Sequence, residues 1–348
     1  MSWMTTTLGA IAPLAYGRAL TASQRDETGS VPVVASGGIV GRHTSACTTG
    51  PVVVLGRKGS VGTVQYLEED CWPIDTVFYT HGTEGTDTRF LSYLLTWLNL
   101  ETRVGDSAVP GLNRADLESV QVMVPPLQYQ KSIAEVLGTL DDKIASNRRV
   151  IEASESLSDA LFSFVARAAS GTTPAGTYFD LAYGKALPTI ERKDGPVPVY
   201  GSGGIVGRHE SPLFDGPGVV VGRKGSVGTV YWAEDGAFPI DTTFFIRPHG
   251  FPHIFVYLLL KRMRLPLMAA DSAVPGLNRI RVLQESVPAL SQADAQRLAA
   301  QVSPLFTKNH QLEQENTALT AVRDELLPQL MSGRITVKDA EKRVQEEV

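Results

Sequence analysis

The sequence predicts an α+β chain in which two similar domains are joined by two long helices that form a coiled coil. Three observations carry this expectation. The stretch GRKGSVGTV occupies Gly56 to Val64 and returns letter for letter at Gly222 to Val230. Around it, residues 31–65 align without a gap to residues 197–231, with 25 identities in 35 positions. After each copy the apolar period changes to that of a helix, most clearly where Leu298, Leu305, Leu312, Leu319 and Leu326 recur every seven residues.

The repeat extends beyond the basic loop. VPVVASGGIVGRH (Val31 to His43) matches VPVYGSGGIVGRH (Val197 to His209), Pro73-Ile74-Asp75-Thr76 matches Pro239-Ile240-Asp241-Thr242, and DSAVPGLNR stands at both Asp106 to Arg114 and Asp271 to Arg279. A period near 165 residues is far too long for a solenoid, so it marks a duplicated domain. Within the first copy, Val52 to Leu55, Val61 to Tyr66 and Val77 to Tyr79 read as strands separated by glycine turns. A helical stretch follows at about Thr88 to Leu100, with its counterpart at Pro252 to Arg264, and a last strand ends at Val122 to Val124 before Pro125-Pro126. The expected segments are a domain over 1–125, a helix over 126–170, a second domain over 171–290, and a second helix with a charged tail over 291–348.

The first helix carries Ile133, Leu137, Leu140, Ile144, Ile151, Leu161 and Val165 on its apolar stripe, and Val302 and Leu330 complete the second seam. At 1.5 Å per residue each helix would be ~60 Å long. Polar residues interrupt both seams, at Asn147 in the first and at Asn309 and Asn316 in the second. Asn147 and Asn309 hold equivalent places in the repeat, and a buried asparagine fixes register at a cost in stability. If the helices pair antiparallel, Asn147 and Asn309 are expected to face one another.

Composition narrows the function. The chain has 348 residues, 43% of them hydrophobic, a net charge of −5 and two cysteines. That is enough for two cored domains and excludes a disulfide framework. The second copy has Leu213 and Ala237 where the first has Cys47 and Cys71, so neither thiol serves a function common to both. No run of 18 apolar residues occurs and the first residues lack a basic n-region, from which a cytoplasmic protein without a membrane partner is expected. Residues 1–125 hold 8 basic and 12 acidic side chains and residues 171–290 hold 12 and 10, so affinity for nucleic acid must be local.

Catalytic signatures are missing. GSGGIVG resembles a dinucleotide loop but no suitable helix follows it, and Lys58 precedes Gly59 where a Walker loop needs Ser or Thr. Asp180 with Glu191 and Lys193 has the look of a nuclease triad, yet the first copy places Pro13, Gln24 and Asp26 there. No second histidine or cysteine recurs beside His43 or His209 to hold a metal. The repeated loops suit DNA instead. Glycine lets a backbone approach a duplex closely, serine and backbone N–H groups bind phosphate, and arginine forks onto guanine or phosphate. The candidate DNA-binding residues are Ser36, Arg42, His43, Arg57, Lys58 and Ser60 in the first copy, and Ser202, Arg208, His209, Arg223, Lys224 and Ser226 in the second. Gly-Gly-Ile-Val-Gly-Arg-His reads as a second tight loop that adds another arginine and a histidine. Val34, which is Tyr200 in the second copy, is a position where base preference could diverge.

The order of LAYGRAL and LAYGKAL, SGGIVGRH, GRKGSVGTV, WPIDT and FPIDT, AVPGLNR, the junction VPPLQYQKSIAEVLGTLDDKI and the closing LLPQLMSGRI resembles the specificity (S) subunits of Type I restriction-modification systems. One departure is VPALSQADAQRLAAQV, which lacks the PPLxxQ pattern of the first junction. The resemblance implies two target recognition domains placed with pseudo-two-fold symmetry by an antiparallel coiled coil, each reading one half of a split double-stranded DNA site. It implies a non-catalytic chain that binds no cofactor itself. S-adenosylmethionine, ATP and Mg are expected on partners, namely DNA methyltransferase (M) subunits, two in number, and restriction (R) subunits. Shared loops further imply related, inverted half-sites. The alternative is a stand-alone DNA-binding regulator whose coil spaces two reading heads.

Overall fold

The computed structural model describes residues 3–103, 111–269 and 276–347. Asp106 to Pro110 and Asp271 to Pro275 of the DSAVPGLNR repeats lie outside the described residues. The chain divides into two compact units, one made of residues 1–145 and 316–348, the other of residues 146–315.

In the first unit a four-stranded antiparallel sheet runs in the order Ala15–Tyr16, Val77–Thr80, Val52–Gly56, Val64–Leu67. A three-stranded sheet, Gly38–His43, Val31–Ala35, Trp72–Pro73, covers one side. Met4–Thr7 pairs antiparallel with Gln121–Val124. The central strand Val52–Gly56 is buried throughout, which explains its unbroken apolar run. Val53 and Leu55 face a core with Phe78, Phe90, Leu91 and Leu94, while Val52 and Val54 face Val34, Cys71 and Val77. The helix Thr88–Trp97 closes the larger core, and the Asp87 carboxylate caps it by accepting from the Phe90 N–H at 2.8 Å.

The second unit repeats this order. Its four-stranded sheet is Phe179–Tyr183, Thr243–Pro248, Gly218–Gly222, Val230–Ala233, and its three-stranded sheet is Gly204–His209, Val197–Gly201, Phe238–Pro239. Thr172–Pro174 pairs with Ser286–Pro288. The helix His253–Arg262 packs Phe255, Val256 and Leu259 into the core with Val219, Val221 and Phe244.

Two continuous helices, Leu127–Arg167 and Gln292–Met331, account for both coiled-coil segments. In the first unit Ile133, Leu137, Leu140 and Ile144 share a core with Leu319, Leu326 and Leu330, and Arg323 bonds Asp141 at 2.7 Å. In the second unit Asn147 lies against Glu315, while Val165, Ala168 and Ala169 line a cavity with Asp294, Arg297 and Leu298, so the pairing there is antiparallel. The leucine seam is buried at Leu298, Leu312, Leu319 and Leu326. The other helix departs from expectation in its second half, where Asn147, Ser154, Ser158 and Phe162 are buried and Ile151, Leu161 and Val165 are only half-buried.

The junction motif has a physical explanation. Buried Gln130 donates to the Pro125 and Gly85 carbonyls and accepts from the Asp87 N–H, tying the start of the long helix to the cap of the shorter one. The altered second junction keeps one of these bonds, because Gln292 Nε2 donates to the Gly250 carbonyl at 2.7 Å.

Candidate nucleic-acid interface

The loop from Gly56 to Thr63 is closed by its own backbone. Gly56 N–H donates to the Thr63 carbonyl and Gly62 N–H to the Gly56 carbonyl, at 2.8 and 2.9 Å, and the same pair of bonds closes Gly222 to Thr229. Gly59 and Gly62 have φ of 77° and 81°, and Gly225 and Gly228 both 80°, a region that favours glycine. This conformation turns Lys58, Gly59 and Ser60, and likewise Lys224, Gly225 and Ser226, into solvent.

The arginines of these loops point back into the fold. Arg57 Nη2 donates to the Asp75 carbonyl at 2.8 Å, and its guanidinium lies 5.3 Å from the Tyr16 ring and 5.6 Å from Phe78. Arg223 repeats the arrangement, with 2.6 Å to the Asp241 carbonyl, 5.3 Å to Tyr183 and 5.8 Å to Phe244. The N–H groups of Arg57 and Lys58 both donate to the Thr76 carbonyl, as those of Arg223 and Lys224 do to Thr242. The LAYG, GRKGS and PIDT motifs are therefore three parts of one cluster, in which a cation stacks on an aromatic ring and is steered by a carbonyl. Tyr16, Tyr183, Asp75 and Asp241 belong to the site without having been singled out in the sequence. The signal for them was their repetition in both copies.

GGIVGRH is a strand rather than a loop. It forms the outer arm of a hairpin, Val31–Ala35 with Gly38–His43 and Val197–Gly201 with Gly204–His209, with a register shift after Val33 and Val199 respectively. Its turn docks on the basic loop. Thr63 Oγ1 donates to the Ser36 carbonyl at 2.5 Å, and Thr229 Oγ1 to Ser202 at 2.7 Å. A Cβ on Gly59 or Gly225 would stand 3.2 or 3.0 Å from the Ser36 or Ser202 hydroxyl, so a side chain there would crowd this junction.

The remaining candidates divide by exposure. Arg42 and Arg208 are exposed, each with Nη1 donating to a carbonyl across its own hairpin, of Ser30 and Pro196. The histidines are turned inward. His43 Nδ1 accepts from the Asp26 N–H at 3.2 Å and its ring meets Trp72 edge-on, while His209 Nδ1 accepts from Lys193 N–H at 3.1 Å and meets Phe238. They fasten the segment before the hairpin to its outer strand, and Ser36 is itself buried. Val34 and Tyr200 are buried too, Tyr200 against Tyr231, so they support the hairpin instead of offering an edge to a base. Asp180 is engaged by Arg279 at 2.5 and 2.7 Å, an ion pair within the second unit. Asn147 and Asn309 are not partners, because Asn147 Nδ2 donates to Glu315 Oε2 at 2.9 Å, nearly two turns beyond Asn309. Among the described residues no helix is long and apolar enough to cross a membrane.

Two units of one α+β fold, each presenting a lysine-bearing glycine loop beside a hairpin and each holding half of two long helices, define a duplicated α+β scaffold. Residues 1–155 match the family described as Type I restriction modification DNA specificity domain. A curated relative, the Type I restriction enzyme EcoprrI specificity subunit of Escherichia coli, is 26% identical over 140 residues, covering 39% of this chain and 35% of that protein. The match thus spans about a third of the relative's length. The solved S subunit of a Type I restriction-modification system from M. genitalium shares the fold with a TM-score of 0.70 at 20% identity, over 95% of this chain and 96% of that one.

Proposed function

We propose that this chain is the sequence-reading, non-catalytic subunit of a Type I restriction-modification complex. Each unit reads one half of a bipartite double-stranded DNA site, and the chain directs methyltransferase and restriction subunits to it. S-adenosylmethionine, ATP and Mg belong to those partners in this reading. The observation that carries it is the duplicated exposed Lys-Gly-Ser tip, held in the same way in both units by the Arg57–Asp75 and Arg223–Asp241 contacts. An exposed lysine and serine beside glycine suit a phosphate, and a neighbouring hairpin is an element that the major groove admits.

Co-expression with candidate methyltransferase subunits, followed by genome-wide mapping of methylated bases, tests the reading. The expected result is one split motif whose two halves are related because the loops are shared. Methylation that ignores deletion of this chain overturns the proposal. Tight, site-specific binding by the chain alone, with no copurifying methyltransferase, would favour a stand-alone regulator.

A further inference from the structure

Both hairpins leave two adjacent apolar side chains in water. Ile39 is 59% and Val40 40% exposed, and in the second unit Ile205 is 58% and Val206 44% exposed. Isolated exposed hydrophobes are ordinary. These differ in recurring at the same two places and in being consecutive on a strand. Val40 and Val206 are the extra residues of the register shift, with no partner residue opposite them, so the bulge leaves each exposed beside its exposed isoleucine neighbour.

The projecting strand is also held stiffly. Arg25 Nη1 donates to the Val40 carbonyl at 2.7 Å and Arg192 Nη1 to the Val206 carbonyl at 2.6 Å. At its other end the turn is fastened through Ser36 or Ser202 to the basic loop. Each apolar pair thus follows a turn docked on the loop that carries exposed Lys58 or Lys224, and shares its strand with exposed Arg42 or Arg208. Cations around an apolar edge of a fastened hairpin, the outer arm of its three-stranded sheet, complement a duplex: phosphates flank the major groove, and the apolar group on its floor is the C5 methyl of thymine.

We propose that Ile39–Val40 and Ile205–Val206 are base-reading contacts that sense a pyrimidine C5 methyl group in each half-site. This rests on the chain being a DNA reader, and it assigns sequence discrimination to the hairpin and backbone attraction to the lysine loop.

The test uses the full chain, purified with its methyltransferase subunits, and fluorescently labelled duplexes bearing the mapped site. Ile39→Ala and Ile205→Ala should each weaken binding about 5- to 10-fold on the thymine duplex. On a duplex with deoxyuridine replacing thymine in the corresponding half, the wild type should weaken similarly and the variant should lose little more. Equal losses on both duplexes, or no loss while Lys58→Ala still weakens binding, overturn the proposal and leave DNA reading intact. A mapped half-site containing neither thymine nor a methylated cytosine does the same, as does loss of the copurifying methyltransferase in the isoleucine variants. Failure of the wild-type complex to prefer its mapped site over random DNA removes the underlying reading instead.

Discussion

Asn147 Nδ2 donates to Glu315 Oε2 at 2.9 Å, pairing a buried amide on one long helix of the second unit with a carboxylate on the other. The sequence alone makes Asn147 a lone polar residue in an apolar seam, whose replacement by leucine would add stability. The pairing reverses that sign, because the substitution takes an amide donor away from a partly buried carboxylate.

Asn147→Leu is therefore expected to lower stability by about 1–3 kcal/mol, the range for losing a hydrogen bond to a charged group. The double variant Asn147→Leu, Glu315→Leu should recover part of this loss, since both polar partners are then removed together. Urea denaturation of the four proteins of this cycle measures the coupling. A stabilised single variant would show that the bond is negligible.

Arg57 and Lys58 should separate into support and contact. Arg57→Lys keeps the charge but cannot both stack on Tyr16 and hold the Asp75 carbonyl in the same way. It should cost about 1–2 kcal/mol of stability. Lys58→Ala should leave stability within about 0.5 kcal/mol, as befits an exposed side chain. It should reduce the salt dependence of DNA binding by about one counterion. Thermal melts and binding at several salt concentrations check both, and an exchange of the two phenotypes would refute the division.

Cys71 gives a pH prediction. Burial pushes its thiol up to about 12, with the nearby Cys47, Asp70 and Glu69 adding to the effect. A raised folded value means that the contribution is fully present below the unfolded thiol range and is lost as pH rises from about 9 towards 12. The loss approaches ~1.4 kcal/mol per pH unit in that window. Cys71→Ala adopts the residue of the second copy, Ala237, which is buried in the same way. It should cost about 1 kcal/mol at neutral pH and lack this alkaline component, so the two stabilities converge when urea melts are repeated at pH 10.

Asp141 joins three elements of the first unit, accepting from the Tyr93 hydroxyl at 2.6 Å and from Arg323 Nη1 at 2.7 Å. Burial and this carboxylate keep the Tyr93 phenol protonated, its ionisation pushed far above the usual range. Asp141→Ala should cost about 1–2 kcal/mol, moderated by the second carboxylate on Arg323, Asp324. Near-ultraviolet circular dichroism during urea unfolding would report it through Tyr93. A variant as stable as the wild type would mean that Arg323 and the phenol find water equally well.

Much of the fold was legible because its signals are periodic. Leucines at every seventh residue marked the second long helix to within a residue or two, and the run Val52 to Leu55 marked a strand buried on both faces. The first long helix was legible in extent but less so in orientation, since its buried stripe passes through Asn147, Ser154 and Ser158 and polar residues carry no hydrophobic signal. The hairpins were mistaken for loops because Gly38 and Gly41, with φ of 124° and 154°, interrupt the alternation that identifies strands. Residue type located the site but did not orient it. Arg57, Arg223, His43 and His209 have the residue types of contacts but are turned inward by a carbonyl, an aromatic ring or a backbone N–H, partners that lie 15 or more residues away in sequence, whereas Arg42 and Arg208 stay exposed.

The first unit draws on both ends of the chain, and Leu319, Leu326, Leu330, Met331, Val337 and Ala340 fill its core beside Leu137, Leu140 and Ile144. Residues 146–315 form the other unit without interruption. During synthesis the segment made first must therefore wait for the segment made last, and the later-made unit is the first to have all its parts. A ribosome that stalls before residue 316 leaves a completed second unit tethered to a first one whose apolar face is open, so loss of residues 316–340 harms residues 1–145 more than residues 146–315.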